Sequence, residues 1–314
     1  MLGYGLGVRY LESDATPRIS KIGLGTWQFG SREWGYGDEY ADGVAGRLVG
    51  RALELGVTLF DTAEIYALGR SERILGRALA GGRDRAFLAT KIFPLLPIAP
   101  VVVRRALGSA RRLGVERLDL YQVHQPNPLI RDGTAMRGMR TLQARGVVGE
   151  VGVCNYSLAR WRRAEAMLGS RVLSNQVRYS LVDRRPERDL IPYALRHARV
   201  VIAYSPLAQG FLSGRYDPGR LPADWMRRHS RVFGRKSFAR AEALLRALRE
   251  IAAARGVTPA QVALAWTIRE PCVVAIPGAS TIDQLEANAA AADIELTAEE
   301  LAALDLTAST YADS

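Results

Sequence analysis

Asp61, Tyr66, Lys91 and His124 are the residues of this chain whose types and spacing could do chemistry. Asp61 closes the apolar stretch Val57–Asp61, Lys91 closes Ala86–Lys91 thirty residues later, and His124 closes Leu118–His124 thirty-three residues after that. Tyr66 lies just beyond Asp61. A charge at the end of an apolar strand is costly unless paired, so Asp61 and Lys91 are expected to satisfy each other. An ammonium beside a phenol favours tyrosinate, and is expected to pull the Tyr66 pKa below its ordinary value of about 10, making it a usable proton donor. A neutral His124 can hydrogen-bond a carbonyl oxygen and orient it while negative charge develops there. Together the four groups suit carbonyl reduction. Taken singly, Asp61 reads as a loop cap, Tyr66 as a packing residue and His124 as a core histidine. Lys91 resists such a reading, because the chain has three lysines (Lys21, Lys91 and Lys236) against 40 arginines, and an interchangeable cation would have been arginine.

The elements that must position these residues are legible in the sequence period. Apolar, β-rich segments occur at Ile19–Thr26, Val57–Asp61, Ala86–Lys91, Leu118–His124, Val148–Cys154, Val172–Val177, Val200–Tyr204 and Val273–Ile276. From the second segment onward their starts are 29, 32, 30, 24, 28 and 73 residues apart, and amphipathic stretches such as Val44–Leu55 and Val101–Leu113 fill the gaps. Strand, helix, strand at this period means βαβ units, and eight of them specify an α/β fold, the (β/α)8 TIM barrel, as a single domain over 1–314. Residues 1–18 are expected to form an N-terminal β-hairpin cap, 19–280 the barrel with an insertion at 208–236, and 281–314 the C-terminal helices and tail. The last helix is expected over Ala298–Leu306. Thr258–Gln261, Thr281–Gln284 and Thr297–Glu300 read as helix-starting capping boxes. A doubly wound sheet would instead open with GxGxxG, and Gly23-Leu24-Gly25-Thr26-Trp27-Gln28 lacks the third glycine. In a barrel, the C-terminal ends of the strands share one mouth, where the four residues would converge.

Composition narrows the remaining classes. With 48% hydrophobic and 24% charged residues, the chain can bury a core, which excludes disordered and fibrous classes. No apolar run approaches the roughly 20 residues of a membrane span, and no secretory leader is evident, so a cytoplasmic protein without membrane association is expected. The net charge of +11 comes from arginines scattered over helices, without a basic tail or an aromatic RNA-binding motif, which argues against a nucleic-acid partner. Cys154 and Cys272 lack metal-ligand or disulfide spacing, so no metal site is expected and both read as buried thiols.

Gly25-Thr26-Trp27, Asp61-Thr62-Ala63-Glu64-Ile65-Tyr66, Ala89-Thr90-Lys91, Gln122-Val123-His124 and Gly152-Val153-Cys154-Asn155 together resemble the aldo-keto reductase family. Asn175-Gln176, Ala203-Tyr204-Ser205-Pro206-Leu207 and Ile276-Pro277-Gly278-Ala279-Ser280, followed by Gln284 and Asn288, extend the resemblance over nearly the whole chain. The resemblance implies a (β/α)8 barrel, a nicotinamide cofactor bound without a Rossmann domain, and the tetrad Asp61, Tyr66, Lys91 and His124. It implies that Asn155 and Gln176 hold the nicotinamide carboxamide and that Tyr204 stacks on the ring. By the same resemblance, Thr26, Trp27, Asp61, Cys154, Ser205, Pro206, Leu207 and Ile276 would line the cofactor path. Gln209, Gly210 and Arg215 would belong to a loop over the pyrophosphate, and Gly278, Ser280, Gln284 and Asn288 to the adenosine end.

The sequence departs from the family pattern at Cys154, where serine is common, and at Ala287, where glutamate often precedes Asn288. No Arg or Lys lies in Gly278–Gln284, so NADPH/NADP is favoured over NADH/NAD by the motif and not by charge. Trp27, Trp34, Tyr66, Phe93 and His124 are candidates for the substrate pocket, with Trp225 nearby, and the partner expected is a small-molecule carbonyl or alcohol. The function implied is hydride transfer between NADPH and an aldehyde, ketone or sugar carbonyl, with Tyr66 as general acid and base. An NADP-binding regulatory subunit with little turnover is the alternative. Substrate, direction and oligomeric state are not legible.

Overall fold

The computed structural model describes residues 9–11, 18–30 and 43–312. In chain order the elements are β1 (Leu24–Gly25), α1 (Ala45–Glu54), β2 (Leu59–Asp61), α2 (Arg70–Leu79), β3 (Phe87–Ile92), α3 (Ala99–Leu113), β4 (Leu118–Val123), α4 (Asp132–Ala144), β5 (Val148–Cys154), α5 (Leu158–Leu168), β6 (Ser174–Arg178), α6 (Leu190–Arg196) and β7 (Val200–Tyr204). There follow α7 (Trp225–Arg228), α8 (Arg235–Arg255), α9 (Pro259–Thr267), β8 (Val273–Ala275), α10 (Ile282–Ala290) and α11 (Ala298–Ala312). The eight strands pair in parallel in sequence order. Gly23 N–H donates to Ala275 O at 2.8 Å and Ala275 N–H to Lys21 O at 2.9 Å, which joins β8 to the segment leading into β1. This is the (β/α)8 arrangement expected from the strand period.

Alternation along each strand sorts side chains between two cores. Phe60, Leu88, Tyr121, Val123, Val151 and Val153 face the helices. Leu59, Phe87, Ala89, Leu120, Leu173, Val200, Ile202 and Val274 pack into a separate apolar plug inside the sheet. The next positions on that inward phase, toward the strands' C-terminal ends, are Asp61, Lys91 and Gln122, joined by Gln176 on Asp61 and Cys154 on Gln122, all buried. The interior is thus apolar below and polar above, and the polar layer opens on the mouth.

Strand β1 is shorter than the expected 19–26. Side chains replace its early ladder: Thr58 and Leu59 N–H donate to Ser20 Oγ at 3.1 and 3.2 Å, and Ser20 N–H donates to Thr58 Oγ1 at 2.9 Å. Of the expected N-terminal hairpin, residues 1–8 and 12–17 lie outside the described residues, while Tyr10 bridges Ser20 in antiparallel sense. Helix α11 runs to Ala312, beyond the expected Leu306. Buried Leu304 and Ala308 hold one face, and Thr307, Ser309 and Thr310 return their hydroxyls to carbonyls of the preceding turn. Thr258 and Thr297 form reciprocal capping boxes with Gln261 and Glu300. At Thr281 the box is altered, because Gln284 Oε1 accepts from Ser280 N–H at 2.9 Å, one residue further back. The 208–236 insertion is anchored by Phe233, buried against Phe211, Phe238 and Tyr216, while Arg228, Arg231, Arg235 and Lys236 are exposed.

Candidate active site

The polar layer and the loops above it bring the tetrad together. Lys91 Nζ donates to Asp61 Oδ1 at 2.5 Å, to Thr62 O at 2.8 Å and to Tyr66 OH at 3.2 Å, so the fully buried ammonium has three oxygen partners. Gln176 Nε2 donates to Asp61 Oδ2 at 2.8 Å, which fixes the other carboxylate oxygen. His124 extends the β4 ladder, its N–H donating to Ile92 O at 3.0 Å, and its ring meets that of Tyr66 edge-on at 5.7 Å between centroids. Nδ1 of His124 is buried without a hydrogen-bond partner among the described residues. Trp27, 52% exposed, lies 4.9 Å from Tyr66, and Phe93 stands edge-on to His124 at 6.4 Å.

Burial dominates the proton affinities here. It lowers the His124 pKa to about 3, helped by the Lys91 charge, so the imidazole is neutral. Tyr66 departs from the expected fall: burial raises it to about 12, and Lys91, which pulls it down, is outweighed because Asp61 pushes it up as well. Burial would lower Lys91, yet Asp61 and Tyr66 outweigh it and hold the ammonium protonated above the usual lysine range. Burial also pushes the Cys154 thiol well above its ordinary value, in keeping with an inert thiol. The phenol is therefore a protonated donor held against a permanent cation.

The remaining candidates gather on the same mouth. Thr26 is fully buried, its Oγ1 donating to Asp61 O at 3.0 Å and meeting Ser71 Oγ at 2.9 Å. Asn155 is exposed beyond β5, and its Oδ1 accepts from Tyr204 OH at 3.1 Å. Ser205 and Leu207 are half-buried, Pro206 and Ile276 are buried, and Gln209 and Arg215 are exposed. Asn288 Nδ2 donates to Gly278 O at 3.4 Å, and Gln28 Nε2 to Ala279 O at 2.9 Å, which ties the loops after β1 and β8 together. Gly25 lets them approach closely, since a Cβ there would lie 2.8 Å from Ile276 O. Trp34 lies outside the described residues.

Three features carry a role that the sequence analysis does not assign. Gln122 sits in the inward layer beside the tetrad, 3.5 Å from Asp61 Oδ2, with its Oε1 accepting from Ser174 at 3.3 Å and Cys154 at 3.9 Å. Its place on the inward phase of an apolar strand was the available signal. Half-buried Glu64 and Arg105 hold the main chain of Phe93: Phe93 N–H donates to Glu64 Oε1 at 2.5 Å and Arg105 to Phe93 O at 2.9 Å. Finally, six of the seven non-glycine residues with positive φ among those described lie at this end, namely Ala67, Leu68, Asn155, Ser205, Ala208 and Gln209. Such backbone concentrates at functional sites because surrounding contacts must hold it there.

The sequence profile described as the aldo/keto reductase family matches residues 21–308. The chain belongs to the aldo/keto reductase family. It is 55% identical over 297 residues to an uncharacterized oxidoreductase of Mycobacterium tuberculosis (strain ATCC 25618 / H37Rv), covering 95% of this chain and 92% of that one. Its fold is similar to the glycerol dehydrogenase of Gluconobacter oxydans, with a TM-score of 0.84 and 29% identity over 96% of this chain and 94% of that one. It is also similar to an aldo/keto reductase from Klebsiella pneumoniae in complex with NADP and acetate, with a TM-score of 0.71 and 35% identity over 95% and 94% of the two chains. As an aldo/keto reductase, the protein is an NAD(P)H-dependent oxidoreductase.

Proposed function

We propose that this protein reduces the carbonyl of a small-molecule aldehyde, ketone or sugar with NADPH, Tyr66 acting as general acid and, in the reverse direction, as general base. The observation that carries the reading is the Lys91 ammonium placed between Asp61 and Tyr66 OH, with a neutral His124 beside them. The phenol keeps its proton until an alkoxide forms. Lys91 then stabilises the tyrosinate left behind, since a cation beside an oxyanion lowers its energy in a site of low dielectric. With Nδ1 buried and unpaired, His124 has its other ring nitrogen as the group to turn toward a carbonyl oxygen.

The residues present fit a nicotinamide dinucleotide. Asn155, held by Tyr204, and Gln176 supply amide groups for the carboxamide, and the Tyr204 ring offers a stacking face. Ser205, Pro206, Leu207, Gln209, Gly210 and Arg215 would follow the pyrophosphate, and Gly278, Ser280, Gln284 and Asn288 the adenosine end. The start of α10 favours an anion such as a ribose phosphate, and the NADP complex of the Klebsiella relative supports NADPH over NADH. When bound, the cofactor supplies the hydride.

Titrating the protein with NADPH and with NADH by fluorescence, then following 340 nm absorbance with an activated aromatic aldehyde, tests the reading. Aldehyde-dependent loss of absorbance that is abolished in Tyr66→Phe is the expected result. Binding without turnover over a broad carbonyl panel would instead make the protein a cofactor-binding regulatory subunit.

A further inference from the structure

The loops after β2, β3 and β4 turn their polar groups inward on one another and their large apolar side chains outward. Glu64 and Arg105 join the first loop to the second through the main chain of Phe93. Asn127 joins the second to the third, its Nδ2 donating to Pro94 O at 2.7 Å while its Oδ1 accepts from Leu129 and Ile130 N–H. Arg160 in turn donates to Asn127 O at 2.7 Å and is held by Asp132. The result is one laced rim on which Ile65, Leu68, Leu95, Leu96 and Leu129 are exposed, five of the ten exposed large hydrophobics among the described residues. Leu68 is 87%, Leu95 76% and Leu129 91% exposed.

Leu68 is costly on two counts. It follows Ala67 (φ 45°) and precedes Gly69 (φ 81°) at φ 52°, in a left-handed turn that L residues with bulky side chains avoid. An Asn there would adopt the same backbone more easily and would not present a hydrocarbon to water. The turn begins immediately after Tyr66, so Leu68 is two residues, roughly 7 Å of chain, from the phenol. The ring of Trp27 lies 4.9 Å from that of Tyr66, and Phe93, edge-on to His124 at 6.4 Å, is two residues from Leu95 on the same loop. Leu68 and Leu95 are therefore carried by the same turns that carry Tyr66 and the ring against His124.

We propose that the rim leucines are the outer part of the substrate site, and that the carbonyl reduced here is carried on a long apolar chain lying over Leu68, Leu95 and Leu129. The assignment rests on the reductase reading and gives it a substrate class, unlike the small polyol in the name of the Gluconobacter relative.

The test compares straight-chain aldehydes from butanal to decanal, and the binding of butanol and decanol by intrinsic fluorescence, in the wild type and in Leu68→Asn and Leu129→Ser. Both side chains are exposed, so neither variant is expected to unfold. The expected result is a kcat/KM that climbs with chain length by up to about threefold per methylene. Each variant should lose on the order of tenfold on decanal while keeping butanal turnover, and decanol binding should weaken in parallel. A flat series in the wild type, or a chain-length dependence unchanged in both variants, overturns the proposal. Binding of the protein to phosphatidylcholine vesicles that is lost in the variants, with a flat aldehyde series, would also overturn it by giving the leucines to a membrane. Failure of the reductase reading looks different: no carbonyl is reduced at any length, and decanol binding alone then decides whether the rim holds an apolar chain.

Discussion

Lys91 and Tyr66, 25 residues apart in sequence, meet as ammonium and phenol at 3.2 Å above an apolar plug. The same ammonium holds Asp61, so the three groups form one unit, and its energetics differ from those of an exposed ion pair.

Replacing Lys91 by Met leaves the Asp61 carboxylate buried with amide donors but no cation. Urea unfolding should show a loss of about 3–5 kcal/mol, the usual consequence of stranding one half of a buried pair. The double variant Asp61→Asn, Lys91→Met should recover a large part of that loss, because it removes both charges. A double variant that loses the sum of the two single losses would show that the pair is not coupled.

Tyr66→Phe removes one oxygen and keeps the ring against Trp27 and His124. Carbonyl reduction should fall by about 10²–10⁴-fold in kcat, the range of a positioned general acid, while the NADPH dissociation constant stays within about twofold. Stopped-flow traces at 340 nm, with cofactor binding measured separately, distinguish loss of the proton donor from loss of the cofactor site.

Much of this site was legible because a barrel converts a sequence period into a place. Asp61, Lys91 and His124 could be found from their positions at repeat-spaced strand ends, before any contact was known. Gln122, which the sequence analysis quotes only inside a motif, is equally findable by alternation along its strand. The Glu64–Arg105 clamp was not legible, since 41 residues separate its partners and nothing local in either helix or loop announces the pairing. Nor was the left-handed backbone at Ala67, Leu68 and Gln209, because Ala, Leu and Gln carry no local preference for positive φ. The sign of the Tyr66 shift also needed the structure: a neighbouring cation is visible in sequence, but the depth of burial that outweighs it is not.

His124 is kept neutral by burial, with its pKa near 3 against about 6.5 unfolded. Below about pH 6.5 the unfolded chain takes up a proton that the folded chain refuses, so this histidine's contribution to stability is present above that pH and is lost as pH falls toward 3. Allowing for partial solvent screening, the slope should be roughly 1 kcal/mol per pH unit between about pH 6 and 4. His124→Gln should flatten that slope in denaturant titrations. In the wild type, the His124 ring signals should not move between pH 5 and 8 by NMR.

The clamp on Phe93 makes a different kind of prediction, because the Glu64 and Arg105 side chains bond each other and the Phe93 main chain rather than a side chain of the tetrad. Burial raises the Glu64 pKa, and Arg105 opposes that rise while holding Phe93 O, so Arg105→Met removes both the counter-charge and one of the two bonds on the Phe93 main chain. The ring that stands edge-on to His124 then loses its fixed seat. KM for the carbonyl should rise about tenfold with kcat changed by less than about threefold, since the group displaced positions substrate and exchanges no proton. Adding Glu64→Gln to Arg105→Met should restore much of the thermal stability by removing the stranded carboxylate, yet leave KM high. If KM returned with stability, the clamp would be a folding element only.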